Sequence, residues 1–186
     1  PNMPKVTDVK IIEDINTVAF EWTTLTVPEI DGYIIYRSNP TDDEGKLQEI
    51  ARIGDKYSNH YVDDGLDPNS KYYYRFATYQ KEGSRGEPGK THQVQTTKMI
   101  PPVSYVHSVQ NLPRRAKIIW RPHSFRGVEG YVVEKKTPGQ EWEKLAEVSH
   151  RLSAEYIDSD LPDNSVFHYR VRVKLYNGLM SAPSKE

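Results

Sequence analysis

The chain repeats itself, and that restricts it to two copies of one small domain. Trp22 is followed by Ile30-Asp31-Gly32-Tyr33-Ile34-Ile35, and Trp120 by Val128-Glu129-Gly130-Tyr131-Val132-Val133, 98 positions later throughout. His60-Tyr61-Val62-Asp63 corresponds to Glu155-Tyr156-Ile157-Asp158 at an offset of 95. The same offset relates Leu66-Asp67-Pro68-Asn69-Ser70 to Leu161-Pro162-Asp163-Asn164-Ser165, and Tyr72-Tyr73-Tyr74-Arg75 to Phe167-His168-Tyr169-Arg170. An intervening loop of the second copy is therefore shorter. Solenoid repeats run to roughly 20–50 residues, so a period of roughly twice that length means tandem domains. Between the copies lies Lys98-Met99-Ile100-Pro101-Pro102. Paired prolines fix φ and remove backbone donors, which predicts a short, stiff linker. The expected division is a domain over 1–98, a Pro-Pro linker over 99–102 and a domain over 103–186.

Within each copy the apolar residues alternate. Val18, Phe20 and Trp22 share one face, as do Ala116, Ile118 and Trp120, with Lys117, Ile119 and Arg121 opposite. That is the pattern of half-buried antiparallel strands. Turn signals recur at Ser38-Asn39-Pro40, Asp64-Gly65, Pro138-Gly139 and Asn177-Gly178. Thirteen tyrosines against four phenylalanines also suit strands. About seven short strands per copy predict an all-β chain of two immunoglobulin-like sandwiches. The second copy stops early. After Pro88 the first copy runs on through Thr97, whereas after Pro183 only Ser184-Lys185-Glu186 remain. Its last strand is expected to be missing or a stub, leaving an open sheet edge. The start at Pro1 and this early stop read as the limits of an excised segment.

Catalysis finds little support. The chain has no cysteine, hence no disulfide or thiolate chemistry. Its six histidines show no metal-ligand spacing, and no phosphate loop or nucleophile-and-base pair is visible. No enzyme activity, metal or cofactor is expected. No apolar run approaches the roughly 20 residues of a membrane helix. No signal peptide is visible. Net charge is −1, divided as −4 over residues 1–98 and +3 over 99–186. That asymmetry is too small to argue for nucleic acid.

One loop stands out. After Trp120 come Arg121, Pro122, His123, Ser124, Phe125, Arg126 and Gly127, and Val128 rejoins the repeat opposite Ile30. The first copy has the mostly neutral Thr23-Thr24-Leu25-Thr26-Val27-Pro28-Glu29 there. Trp120 is expected in the core and Arg121 on the outer face. Arginine and aromatic residues are the types enriched at interface hot spots. Ser84-Arg85-Gly86-Glu87 is expected to be a hairpin turn rather than an integrin site, since glutamate stands where such a site needs aspartate. Arg114, Arg115, Lys117, Arg121 and Arg126 form a weak basic patch, a third-ranked site for glycosaminoglycan.

A core tryptophan, a Gly-Tyr opening the next strand, and Leu66-x-Pro68-x-Ser70-x-Tyr72-x-Tyr74-Arg75 resemble a fibronectin type III domain, and both copies fit. The resemblance implies that the Tyr72 hydroxyl bonds back to upstream backbone. Phe167 lacks that hydroxyl, so the second domain is expected to lose about 1 kcal/mol and to be the less stable.

The tracts Asn111-Leu112-Pro113, Lys117 to His123, Lys144 to Val148 and Ala154 to Leu161 are similar to the fibronectin-like protein A family of bacterial surface adhesins. That resemblance implies an outer-membrane lipoprotein at the cell surface, anchored by a lipid outside this segment, that binds host fibronectin; a monomer is expected. The family's binding stretch reads Trp-Arg-Pro-His-Pro-Asp-Phe-Arg-Val. Arg121, Pro122 and His123 match it directly, Phe125 and Arg126 after a one-residue slip, and Val128 again. These six are the implied partner-binding residues. Ser124 replaces a Pro-Asp pair and Gly127 is added, which predicts a less preorganised loop. An architectural spacer in an envelope protein is the alternative reading.

Overall fold

The computed structural model describes residues 3–40 and 45–186; the side chains of Gln110 and Asn111 lie outside the description, as does Pro1, where the first domain was expected to begin. The chain folds as two compact units, Pro1–Met99 and Ile100–Glu186.

Among its described residues, unit one holds seven strands. β1 (Lys10–Glu13), β2 (Val18–Glu21) and β5 (His60–Asp63) form one antiparallel sheet in the order β1-β2-β5. β3 (Gly32–Arg37), β4 (Gln48–Ile53), β6 (Lys71–Tyr79) and β7 (His92–Gln95) form the other in the order β4-β3-β6-β7. In unit two, β8 (Val106–Leu112), β9 (Arg115–Trp120) and β12 (Glu155–Asp158) make the sheet β12-β9-β8. Opposite it, β10 (Val128–Lys136), β11 (Glu143–Ser149) and β13 (His168–Leu175) make β11-β10-β13. Each unit is an immunoglobulin-like two-sheet β-sandwich, and unit two lacks a counterpart of β7 among the described residues.

The alternation does what the sequence predicts. Val18, Phe20 and Trp22 are buried, as are Ala116, Ile118 and Trp120. In unit one, Phe20 meets the rings of Tyr74 and Phe76 at 4.7 and 5.2 Å, and Trp22 meets Tyr33 at 5.2 Å. Trp120 meets Tyr131 at 5.3 Å. Centroid separations of this kind add to the stabilisation from area burial. The Gly-Tyr repeat has a steric cause. A Cβ at Gly32 would lie 1.9 Å from the Ile53 carbonyl oxygen, and one at Gly130 2.3 Å from that of Val148. Only glycine lets β4 and β11 come so close. The neighbouring edge strand bulges at the same place in both units, at Ile50 of β4 opposite Ile35 and Tyr36 and at Leu145 of β11 opposite Val133 and Glu134.

A buried polar cluster also recurs, and the alternation gave no sign of it. Asp63 accepts hydrogen bonds from the Tyr74 hydroxyl at 2.6 Å and from Arg37 at 2.8 Å. Asp158 accepts from the Tyr169 hydroxyl at 2.8 Å and pairs with Lys135 at 2.8 Å. Burial, reinforced by the neighbouring carboxylate, pushes both phenols well above their ordinary value.

Two expectations need correction. The Asp67 N–H donates to the Tyr72 hydroxyl at 2.9 Å, as the motif implies. At the matching place in unit two, however, Pro162 stands for Asp67. Phe167 loses the acceptor where proline has already removed the donor, so no N–H is left unpaired. Removing both partners is close to neutral, and the expected loss of stability from Phe167 does not follow. Nor is the whole β13 edge open. Ser181 and Ser184 donate their N–H groups to Val173 and Val171 carbonyls, and their hydroxyls accept from the Val173 and Val171 N–H groups, all at 2.9 Å. Each serine thus does the work of a strand residue.

Candidate binding surface

The loop from Arg121 to Gly127 joins β9 to β10 and is tied down residue by residue. Trp120, buried in the core, fixes its start, and the Arg121 N–H donates to the Tyr105 carbonyl at 3.3 Å. The Tyr131 hydroxyl is the hub. It accepts from the His123 N–H at 2.7 Å and donates to the Arg151 carbonyl at 2.6 Å. Arg151 in turn donates from its guanidinium to the His123 carbonyl at 3.3 Å. Burial raises the Tyr131 phenol, and the His123 N–H partly offsets this, so the hydroxyl keeps its proton to donate. Unit one repeats the hub: Tyr33 accepts from Leu25 N–H at 3.4 Å and donates to the Lys56 carbonyl at 2.8 Å.

His123 adds a second anchor. Its Nε2 lies 3.0 Å from the Pro101 carbonyl, and its Nδ1 accepts from the Phe125 N–H at 3.1 Å. Those partners require the neutral tautomer with the proton on Nε2. The Val128 N–H donates to the Phe125 carbonyl at 3.2 Å, and the Gly127 carbonyl accepts from the Tyr176 N–H at 3.2 Å.

Gly127 is a seat, not a hinge. A Cβ there would lie 2.4 Å from the Phe125 ring. The aromatic ring rests over the glycine, in space that any other residue would fill. The expected loss of preorganisation is thus met by a loop whose backbone is held from both sides.

The six implied residues divide. Arg121, Phe125 and Arg126 are exposed, with Phe125 at 42 %. Pro122 and His123 are half-buried, and His123 spends both ring nitrogens inside the unit. Val128 is a correction. It is 1 % exposed and belongs to the core, so it offers nothing to a partner. Composition did not single out Leu152 and Tyr176, 71 % and 72 % exposed. Both belong to loops bonded to this one, through Arg151 and through the Tyr176 N–H. Exposed apolar side chains in turns were the only signal that pointed to them.

The other candidates weaken. Lys117 pairs with Glu155 at 2.9 Å, and Ile119 and Ile157 flank it across the strands, so acidic and apolar groups interrupt the basic patch. Gly86 donates its N–H to the Thr78 carbonyl at 2.9 Å, which lays the Arg-Gly-Glu stretch along a sheet edge. Among the described residues, no group of three or more His, Cys, Asp or Glu is placed to hold a metal ion.

The sequence matches no protein-family model and no curated protein. Solved structures do resemble it. A two-domain fibronectin type III segment of chicken tenascin is 15 % identical, with 97 % of each chain covered and a TM-score of 0.43. The FN1–FN3 domains of chicken CNTN1 are 16 % identical, with 100 % of this chain and 66 % of that chain covered and a TM-score of 0.46.

Proposed function

We propose that this chain is a non-catalytic adhesion module that binds an extracellular-matrix protein of a host, with fibronectin as the partner to test first. Tandem fibronectin type III sandwiches are binding or scaffold modules, and loops on such a rigid frame are where they carry function. The observation that supports binding here is the β9–β10 loop. Its backbone is fixed by Tyr131, His123 and Arg151, while Arg121, Phe125 and Arg126 project to solvent. A rigid aromatic anchor flanked by arginines costs little entropy to bind with. Leu152 and Tyr176 on the adjoining loops extend the apolar surface. On this reading the module is monomeric and displayed at a bacterial surface by a lipid anchor outside the segment.

Surface-plasmon binding to immobilised fibronectin, at low and at physiological salt, tests this reading. The control is an Arg121→Ala, Phe125→Ala, Arg126→Ala variant with an unchanged near-ultraviolet circular-dichroism spectrum. Saturable binding by the parent that the variant loses is the expected result. No binding, or binding that the variant keeps, returns the loop to a turn and leaves an architectural spacer as the function.

A further inference from the structure

Three loops meet at one end of unit two: 121–127 after β9, 150–154 after β11 and 176–179 after β13. They are bonded to one another. The Arg151 guanidinium donates to the His123 carbonyl at 3.3 Å, and the Tyr176 N–H donates to the Gly127 carbonyl at 3.2 Å. Each loop presents one large apolar side chain, Phe125, Leu152 and Tyr176, at 42, 71 and 72 % exposure. Such side chains scattered singly are ordinary, but these stand on adjoining loops.

The charge of this end is one-sided. The three loops carry Arg121, Arg126 and Arg151 and no aspartate or glutamate. The carboxylates that flank them in the chain, Glu129 and Glu155, stand on β10 and β12, and Glu155 is paired with Lys117 at 2.9 Å. Elsewhere in unit two cations are matched: Lys135 by Asp158, and Arg170 and Arg172 by Glu134. Among the described residues, none of the three loop arginines is paired with a carboxylate. The matching loops of unit one, 23–29, 54–59 and 81–84, instead mix Lys56 and Lys81 with Glu29, Asp55 and Glu82.

We propose that these three loops form one site for an acidic segment of a partner protein, in which carboxylates flank a leucine or an aromatic side chain. This assignment rests on the adhesion reading of the same end and adds what the partner must carry. A guanidinium takes a carboxylate through two parallel N–H bonds, so arginine suits aspartate and glutamate. The apolar side chains cover the apolar group of the partner and keep water from those bonds. A sulfated polysaccharide would satisfy the arginines but leave Leu152 and Tyr176 in water. The Phe125 ring lies against Gly127, where a Cβ would come within 2.4 Å of it. It is a floor to be covered rather than a tip to enter a bilayer.

The test is to pan random short peptides displayed on phage against the whole chain, which assumes nothing about the host protein. Enriched peptides should be acidic and carry leucine, phenylalanine or tyrosine. A synthetic copy should bind about tenfold or more weakly to an Arg121→Gln, Arg126→Gln variant, and likewise to a Leu152→Ser, Tyr176→Ser variant. Replacing the carboxylates of the peptide by amides should cost as much with the parent chain. Both variants should keep the parent's urea midpoint. Enriched peptides that are neutral or basic, or that both variants still bind, overturn the site, and so does a failure of any peptide to enrich. Heparin or phosphatidylserine vesicles bound in place of peptides, and lost with the arginines, would give the end to a polysaccharide or a bilayer and overturn it as well. If acidic peptides bind as described and immobilised fibronectin does not, the site stands and only fibronectin falls. If fibronectin binds and no acidic peptide does, the adhesion reading stands and this site falls.

Discussion

In unit one, Tyr33 ties Leu25 to Lys56; in unit two, Tyr131 ties His123 to Arg151 through the same two bonds. The frame is held constant while the loop it carries changes from neutral to arginine-rich. The outer face of the sheet built on β3 in unit one and on β10 in unit two diverges as well. Glu134 of unit two accepts from Arg170 at 2.8 Å and from Arg172 at 2.7 Å, and Arg170 lies over the Trp142 ring at 4.2 Å. Unit one has Tyr36 and Ala77 at the places of Glu134 and Arg172, and Arg75 turns instead to the Gly89 and Pro88 carbonyls. Even the cores differ in bulk, with Ile118 for Phe20 and Val171 for Phe76. Hubs, close-approach glycines and the buried aspartate define the sandwich. What lies outside them was free to become a surface.

If the frame is common, breaking it should cost both units alike. Trp22→Ala and Trp120→Ala should each destabilise their own unit by about 3–5 kcal/mol, seen as loss of that unit's NMR resonances at low urea. Loss of binding in Trp120→Ala would therefore say nothing about contact. The aspartates come next. Asp63→Ala strands Arg37 and Tyr74, and Asp158→Ala strands Lys135 and Tyr169, each at a cost of about 3 kcal/mol by urea denaturation. A large disparity between the two would mean that the clusters are not equivalent. Arg37 lies 5.8 Å over Tyr72, whereas Lys135 lies 4.1 Å over Phe167, so the lysine has the closer alternative partner.

The sandwich was legible because burial imposes a period of two on strands with one face in solvent, and Val18-Phe20-Trp22 and Ala116-Ile118-Trp120 display it. The Tyr72 bond to Asp67 was legible from its motif. The paired change to Phe167 and Pro162 was in plain view, yet it takes structure to place residues five apart at the two ends of one hydrogen bond. Ser181 and Ser184 as stand-ins for strand residues leave no trace in hydropathy, because their role depends on which way a hydroxyl points. The site was half legible. Arg121, Phe125 and Arg126 stood out by composition, but the burial of Val128 is the same alternation that buries Ile30. The seat that Gly127 offers Phe125 depends on a missing Cβ, which sequence shows only as flexibility.

The hydroxyl exchange sharpens the comparison at a smaller scale. Tyr72→Phe removes the acceptor from Asp67 but leaves its N–H, and should cost unit one about 1 kcal/mol. Phe167→Tyr restores a hydroxyl where Pro162 offers no donor and should give unit two no gain. Asp67→Pro combined with Tyr72→Phe copies the arrangement of unit two into unit one, and should cost less than Tyr72→Phe alone. Urea midpoints of the four proteins decide it. A gain from Phe167→Tyr would mean that the hydroxyl has found a partner other than the residue-162 backbone.

Acid should separate the units by the smallest margin. Burial, with help from Lys90, holds the His92 imidazole below its ordinary 6.5 in unit one. The unfolded chain then binds the proton more readily, so this contribution is complete above pH 6.5 and falls away as pH drops towards the folded value. Unit two has Glu134 instead. Burial pushes its carboxyl up, but hydrogen bonds from Arg172 and Arg170 outweigh this and hold it below 4.5. Its contribution is complete above pH 4.5 and is lost only as pH falls further. Between pH 7 and 5, urea midpoints should decline for unit one through His92, and His92→Gln should remove that decline. Below pH 4.5, Glu134→Gln should flatten the acid loss of unit two. An unaltered slope in the His92 variant would show that the half-buried ring opens to solvent before it titrates, and that the two units meet acid alike.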